Sequence, residues 1–269
     1  MSLDSKNKKD TLRGVFTRSA SSYDRIRYFT VFGEWLVEMA RIPEGATVLD
    51  VACGRGAVLF PAAERVGPSG HVIGIDLADG MARETGLEIA RRELKQAETR
   101  QMDAEDLTFP DSFFDFVLCG FSLQFFPHLP QALSEFRRVL KPGGRIVVTT
   151  WGGDDQRWDW DADLRKAYGA VVKLRSQSLD TPEEIQRWFS QAGFLNIQIH
   201  AKEMDMIFLD EEEWWNAEWS LSGRAGLEKL SPEALEQYKS EAFEKVQAQK
   251  QADGFHYRLK AFCTTANKM

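Results

Sequence analysis

The chain has 269 residues, of which 43% are hydrophobic and 28% are charged, and its formal net charge at pH 7 is -7. This composition is that of an ordinary globular protein and excludes a disordered or fibrous chain. The net negative charge gives no electrostatic reason to bind a nucleic-acid backbone or an anionic membrane surface. We therefore expect a small-molecule substrate, no nucleic-acid partner and no integral membrane contact, while the oligomeric state is not indicated.

The cysteine content and the N-terminal segment bear on the cellular compartment. Three cysteines, Cys53, Cys119 and Cys263, are an odd number without CxxC spacing, so neither a disulfide framework nor a metal site is expected. The N-terminal segment is polar, without the apolar run of a signal peptide, and no apolar run approaches the length of a membrane span. These features predict a cytoplasmic protein.

The first predicted element is a helical segment over residues 11–41. From residue 45 to residue 151, short apolar runs alternate with longer amphipathic ones, as in the strand–helix units of a parallel sheet. The helix before the last strand of this core has its apolar residues on one face, and KPGG ends it. Five strands are predicted here, at 47–52, 71–76, 99–102, 114–120 and 144–151.

Beyond this core, TPEE predicts a capped helix, with Thr181 as its N-cap. Two strand-like segments, at 194–204 and 255–268, are expected to complete the sheet as a partly antiparallel pair. Between them, residues 208–254 predict a helical insertion rich in tryptophan and glutamate. We interpret residues 1–269 as a single domain, in which the helical segments 11–41 and 208–254 are lids.

A glycine turn follows the first predicted strand, in VLDVACGRG at residues 48–56. Glycines let the backbone pass close beneath a ligand, and the next helix offers free N–H groups there. Asp76 lies 20 residues beyond Gly56, at a strand tip where a carboxylate can accept hydrogen bonds from ribose hydroxyls, so any adenosine cofactor fits. A dinucleotide fingerprint needs glycines at 52 and 54 and a small residue at 57, whereas here Ala52 stands first and the second glycine is Gly56, which disfavours NAD.

Four segments within residues 45–151 resemble, in this order, the class I S-adenosylmethionine-dependent methyltransferases: VLDVACGRG, VIGIDLADGM, QMDAEDLTFPDSFFDFVLCGFSLQFF and EFRRVLKPGGRIVVTTW. VFTRSASSYDR is similar to the entry helix of the ubiquinone/menaquinone-biosynthesis type. The resemblance implies a Rossmann-like α/β fold, with a mostly parallel seven-stranded sheet, an antiparallel edge strand, flanking helices and a helical lid. It also implies S-adenosylmethionine as cofactor and S-adenosylhomocysteine as product, in the general class EC 2.1.1.-.

Carried over position by position, the resemblance implies a role for each motif. Asp76 holds the ribose, and Asp50 lies near the methionine amino group. CGFSLQFF, at the end of the fourth strand, lacks the Asn/Asp-Pro-Pro-Tyr tetrapeptide of amino-methylating nucleic-acid enzymes. With Tyr23 added as a residue that closes over the cofactor, the predicted cofactor site consists of Tyr23, Asp50, Ala52, Cys53, Gly54, Gly56, Asp76, Leu77, Met81, Asp103, Ala104, Gly120 and Phe121.

No catalytic base is evident from the sequence. An alcohol, phenol, ammonium or carbon-acid acceptor must lose a proton, and the candidates for handling it are His128, Gln124 and Tyr23. Each also has a structural interpretation: His128 as a turn residue, Gln124 as a solvated turn residue and Tyr23 as a packing residue of the N-terminal helix. Cys53 is read as a small filler beneath the cofactor rather than as a reactive thiol. Substrate contacts are predicted for Tyr23, Phe121, Gln124, Trp151 and Trp215.

The leading hypothesis is methyl transfer to a small-molecule oxygen, carbon or nitrogen nucleophile by in-line displacement, in which positioning dominates and a lid excludes water. An alternative is a non-methylating S-adenosylmethionine-binding protein on the same fold, with a regulatory, decarboxylase or cyclase role. A third is a nicotinamide-dependent oxidoreductase, which is opposed by the glycine register and by the lack of a Tyr-x-x-x-Lys set.

Overall fold

A computed structural model describes residues 4–23, 27–153 and 155–269, and all statements on structure below concern these ranges. The strands are β1 (Thr47–Val51), β2 (His71–Asp76), β3 (Ala97–Gln101), β4 (Phe114–Gly120), β5 (Leu140–Trp151), β6 (Leu195–Phe208) and β7 (Phe255–Asn267). The helices are α1 (Ser5–Ser19), α2 (Arg27–Ala40), α3 (Leu59–Val66), α4 (Asp79–Arg91), α5 (Leu129–Val139), α6 (Asp159–Ala167), α7 (Pro182–Gln191), α8 (Glu211–Ser220), α9 (Arg224–Leu227) and α10 (Pro232–Gln247).

The strands form one sheet in the order β3-β2-β1-β4-β5-β7-β6. Strands β1 to β5 pair in parallel, whereas β7 runs antiparallel to both β5 and β6. The predicted fold class is therefore confirmed, and the antiparallel strand lies one place in from the edge. The chain moves outward from β1 to β3 and then returns to β4, so the strand order reverses between β1 and β4. In open α/β sheets, ligands bind at the carboxyl ends of the strands beside such a reversal.

The central strands carry apolar side chains on both faces of the sheet, which explains why helices cover both faces. Leu49 and Val51 of β1 belong to an apolar cluster with residues of α5 and α7, whereas Val48 packs with residues of α2 and α3 on the opposite face. Successive side chains of a strand point to opposite faces, so a strand buried on both sides needs apolar residues at nearly every position. Asp50 is the polar exception within β1, and it is 1% exposed.

Most predicted elements are present, with shifted ends. The TPEE helix is α7, and the Thr181 hydroxyl accepts a hydrogen bond from the Glu184 backbone N–H at 3.3 Å. The KPGG segment follows α5, but it is not a turn that precedes β5. Gly143 and Gly144 exchange backbone hydrogen bonds with Lys268, and β5 therefore begins at Leu140. Helix α6 was not predicted from the sequence. Only Leu164 is buried within it, which leaves little apolar periodicity to detect.

The two predicted helical additions are present and contact each other. The segment 11–41 contains most of α1 and all of α2, and its residues 24–26 lie outside the described ranges; the segment 208–254 contains α8, α9 and α10. Arg18 of α1 pairs with Glu228, and the hydroxyls of Ser22 and Ser220 are 3.0 Å apart. Helices α1, α6, α8, α9 and α10 contact one another, and we call them the lid layer after the predicted lids, whereas α2 packs with α3 against the sheet.

Candidate cofactor and substrate site

The turn between β1 and α3 is a run of left-handed backbone. The φ angles of Ala52, Gly54 and Gly56 are 53°, 51° and 85°. A Cβ at Gly56 would lie 2.5 Å from the Phe60 ring, so only glycine fits there. Alanine in this conformation costs roughly 1–2 kcal/mol, and strain of this kind is retained where the backbone shape is needed. The predicted glycine turn therefore exists, with Ala52 held in the conformation that glycine would adopt freely.

Asp76 at the tip of β2 is fixed by this turn. Its two carboxylate oxygens accept hydrogen bonds from the backbone N–H groups of Gly54 (2.9 Å) and Ala78 (2.8 Å). Burial raises the pKa of Asp76 to about 6, although the two backbone donors act in the opposite direction. A carboxylate has about four acceptor sites, so both oxygens can accept further hydrogen bonds. This is the chemistry required to hold the two hydroxyls of a ribose.

Asp50 places a second acid beneath the same turn. Both of its oxygens are buried without a well-formed hydrogen bond among the described residues. Burial, followed by the nearby Asp76 carboxylate, raises the pKa of Asp50 well above its usual range, and the Leu59 backbone N–H only partly offsets this. Because a buried polar group without a partner is costly, Asp50 favours a bound donor. The ammonium of a methionine moiety is such a donor.

The residues that were predicted to contact adenine lie together in the structure. Met81 is buried in a cluster with Ala78, and Leu77, Met81, Asp103 and Ala104 line one cavity with the glycine turn. Tyr23 belongs to the same wall, since a Cβ built on Gly54 would lie 3.9 Å from its ring. Burial and then the Asp76 carboxylate raise the pKa of Tyr23. Tyr23 is thus a neutral phenol over the cofactor position.

Lys9 of α1 was missed by sequence reasoning. Its ammonium lies 2.6 Å from Asp103 Oδ2 and 2.6 Å from Glu105 Oε2, and it lines the cavity. Helix α1 is further held by the hydrogen bond from the Thr17 hydroxyl to Asp79 (2.7 Å). Nothing in the sequence around Lys9 signals these partners, because they lie about ninety residues away along the chain. Lys9 therefore ties the N-terminal helix to the adenine end.

Replacing Lys9 with methionine is expected to weaken S-adenosylmethionine binding roughly fivefold, since a partly exposed ion pair contributes up to about 1 kcal/mol. The physical cause is looser docking of α1 over Asp103. Isothermal titration calorimetry measures the change. Lys6→Met is the matched control, because Lys6 is on the same helix and exposed. Equal affinities of the two variants would show that α1 docks without this pair.

The predicted reacting end of the site lies at the ends of β4 and β5. Phe121 follows Gly120 with a φ of 51°, which is rare for a bulky side chain. Its N–H donates to Thr149 O (3.0 Å), its carbonyl accepts from Gln124 Nε2 (2.7 Å), and its ring stacks on Trp151 at 3.8 Å. Gln124 is therefore a cavity residue that holds Phe121 in its strained conformation.

One cavity of about 960 Å³ joins the cofactor end to the lid layer. The predicted contact Trp215 does not line it: α8 presents Trp214, Ala217 and Glu218 to the cavity, while Trp215 packs 6.1 Å from Tyr238 of α10. One residue along a helix rotates a side chain by about 100°, which explains the error. The aromatic residues of the cavity are Phe16, Tyr23, Tyr28, Phe29, Phe60, Phe121, Phe125, Phe126, Trp151, Trp158, Phe208, Trp214 and Tyr257.

His128, one of the candidate bases, lies outside this cavity. Its ring Nδ1 is 3.0 Å from Glu105 Oε2, and its backbone N–H donates to Glu105 Oε1 at 2.7 Å. His128 and Lys9 of α1 thus both pair with Glu105, so the contacts of His128 are structural. Cys53 lines the cavity beneath the turn, and burial raises the pKa of its thiol, so it is not an activated nucleophile.

Two absences concern the described ranges. No helix in them is both long enough and apolar enough to span a bilayer. Their His, Cys, Asp and Glu side chains include no group of three or more placed to hold a metal ion.

A doubly wound sheet with an acid at the tip of its second strand, beside a glycine turn, is typical of the Rossmann-like class of adenosine-cofactor proteins. Comparison with known families matches residues 49–148 to one described as a methyltransferase domain. The chain is also 32% identical to demethylmenaquinone methyltransferase of Symbiobacterium thermophilum, over 70% of this chain and 86% of that relative. It belongs to the class I S-adenosylmethionine-dependent methyltransferase family, whose methyl donor is S-adenosylmethionine.

Two further relatives act in their own reactions on named small molecules. Identity is 44% to nocamycin O-methyltransferase of Saccharothrix syringae, over 50% of this chain and 49% of that protein. Identity is 43% to aklanonic acid methyltransferase of Streptomyces sp. (strain C5), over 55% of this chain and 67% of that protein. The match to the first relative thus spans about half of its length. The YcgJ protein of Bacillus subtilis shares the fold, with a TM-score of 0.61 at 20% identity, over 87% of this chain and 96% of that chain.

Proposed function

We propose that this protein transfers the methyl group of S-adenosylmethionine to an oxygen nucleophile of a small, largely aromatic molecule. The observation that carries the proposal is the single cavity that joins Asp76 to the aromatic residues of the lid layer. Its volume is at the upper end of the range for ligand sites, as expected for a site that accommodates two molecules. The printed name of one relative, nocamycin O-methyltransferase, supports oxygen as the acceptor atom.

The residues of the chain have separate tasks in this proposal. S-adenosylmethionine supplies an electrophilic methyl group on a sulfonium. Asp76 holds the ribose, Asp50 faces the methionine ammonium, and Phe121 and Trp151 bound the space beside the reacting end. Because positive charge is lost during transfer, the site needs alignment and exclusion of water more than charge stabilisation. The aromatic walls and the two helical lids supply both.

Addition of S-adenosylmethionine at 100 times its dissociation constant is expected to stabilise the protein by about 2.7 kcal/mol, which corresponds to a rise of several degrees in Tm. NADH is the control ligand and is expected to leave Tm unchanged. Release of S-adenosylhomocysteine in the presence of aromatic acceptors, measured by mass spectrometry, then tests transfer. Stabilisation by NADH alone contradicts the cofactor assignment. Binding without release for any acceptor class contradicts methyl transfer and favours a non-methylating role.

A further inference from the structure

A buried charged cluster lies in the lid layer and opens to the cavity. Arg165 of α6 donates from Nε to Asp161 Oδ2 (2.8 Å) and from its terminal nitrogens to the Gly223 carbonyl (3.1 Å) and to Glu218 of α8. The Arg165 side chain is 11% exposed. Tyr238 of α10 completes the cluster by donating its hydroxyl to Asp161 Oδ1 at 2.7 Å. The cluster thus connects α6, α8 and α10.

The charges of this cluster do not balance. Two carboxylates, Asp161 and Glu218, face one guanidinium, and both acids line the cavity. Asp161 accepts one hydrogen bond at each oxygen, from Arg165 and from Tyr238. Glu218 accepts a hydrogen bond from Arg165 at Oε2, and because a carboxylate has about four acceptor sites, it retains acceptor capacity. Its side chain is 18% exposed, so the remaining acceptor capacity is directed to the cavity.

Glu218 lines the same cavity as Tyr28, Phe121 and Trp151. Burial, then the hydroxyls of Tyr23 and Tyr257 and the Glu218 carboxylate, raise the pKa of Tyr28. The Tyr28 ring lies 5.7 Å from that of Trp151, which stacks on Phe121. The acid therefore shares one cavity with the aromatic residues at the predicted reacting end.

We propose that Glu218 is the base that takes the proton from a neutral hydroxyl group, of a phenol or an enol, in the acceptor of the methyl transfer. The acceptor O–H bond breaks and its proton moves to Glu218 Oε1. The acceptor oxygen forms the bond to the methyl carbon, and the carbon–sulfur bond breaks with its electron pair left on sulfur. The proton then leaves Glu218 to solvent. This inference rests on the proposed function and assigns its substrate class.

The electrostatics of the cluster favour this class over a carboxylate acceptor. A carboxylate needs no base, and the surplus negative charge of the cluster would repel it. Burial raises the pKa of Glu218 to about 7, against the effect of Arg165 and with that of Asp161. A base with a pKa near the working pH suits proton transfer. The charged or titratable groups that face it are Arg165, Asp161, Tyr238 and Tyr28.

The test compares acceptors that share one ring system and differ in the reacting group: naphthols, dihydroxynaphthalenes, naphthoic acids and naphthylamines, with their three-ring counterparts. We expect S-adenosylhomocysteine release with the hydroxyl compounds. Release with acids or amines alone overturns the inference and leaves methyl transfer standing. No release with any class, while S-adenosylmethionine binds, overturns the proposed function itself.

Glu218→Gln is expected to lower kcat with a hydroxyl acceptor by about 100-fold or more, with KM and S-adenosylmethionine affinity within about threefold of wild type. Wild-type kcat should rise with pH to a plateau above about pH 7, because only the ionised carboxylate accepts a proton, and the variant should lose this dependence. Glu212→Gln is the control, as Glu212 lies on the same helix, exposed and paired with Lys239. A Glu218→Gln enzyme with wild-type kcat and pH profile overturns the assignment.

Isotope-edited NMR of carboxyl-labelled glutamate gives a readout that does not depend on turnover. One signal is expected to titrate well above the ordinary glutamate range in the wild type and to be absent in Glu218→Gln. If every glutamate signal titrates in the ordinary range, Glu218 is not a buried base. If Glu218→Gln does not fold, Glu218→Asp replaces it and should keep part of the activity with the same pH dependence.

Discussion

Asp76→Ala is expected to weaken S-adenosylmethionine binding by about 1.5–3 kcal/mol, or roughly 10- to 150-fold, because hydrogen bonds to a charged acceptor are lost. The structure adds a second cause to the loss of ribose contacts. Asp76 accepts the backbone N–H of Gly54, so its removal also frees the glycine turn. Calorimetric titration with S-adenosylmethionine measures the change, and Asp106→Ala, an exposed acid outside the cavity, is the control.

The same residue gives a pH dependence with a defined sign. The pKa of Asp76 is raised to about 6, so the carboxylate is ionised above that pH and loses acceptor capacity below it. The dissociation constant for S-adenosylmethionine should therefore rise as the pH falls below about 6, by up to roughly tenfold per unit. Asp76→Asn keeps one acceptor oxygen and should remove this dependence. An Asp76→Ala protein with wild-type affinity would show that the ribose lies elsewhere.

Arg165→Met is expected to destabilise the protein by about 3–5 kcal/mol, because it leaves Asp161 and Glu218 buried without their cation. For a domain of this size, that loss corresponds to a fall in Tm on the order of 10 °C. Thermal unfolding followed by circular dichroism measures it. Arg187→Met is the control, since Arg187 is exposed and contacts only the Trp188 ring among the described partners, and its effect should stay within about 0.5 kcal/mol.

The loss of stability in Arg165→Met should depend on pH. Without the guanidinium, which lowers the pKa of Glu218 in the wild type, the pKa of this carboxyl is higher in the folded state than in the unfolded state. The folded state then binds the proton more tightly, so its stability increases as the pH falls through this raised pKa. The difference in Tm between variant and wild type should accordingly shrink from pH 8 to pH 5. A Tm close to that of wild type at pH 8 would contradict the view that Arg165 compensates both acids.

The cofactor half of the site was predictable because its determinants are local. The turn at residues 52–56 is a property of consecutive backbone angles, and Asp76 ends the next strand, whose parallel pairing with β1 follows from the alternating pattern. Ala52 stands where a glycine is more common, and it keeps the turn by adopting left-handed backbone angles. The roles carried over for these residues stay predictions, but the structure brings all of them to one cavity.

The substrate half was decided by tertiary structure. The sequence predicts a substrate contact for Trp215, whereas Trp214 lines the cavity, because a helical pattern shows which residues share a face and not which partner that face meets. Glu218 and Arg165 lie 53 residues apart, and Lys9 and Asp103 lie 94 apart. The sequence by itself thus determined the fold and the cofactor edge, through local backbone geometry and strand periodicity. Only the packing of distant helices decided which side chains meet in the rest of the cavity, because burial and charge pairing depend on neighbours that chain order does not specify.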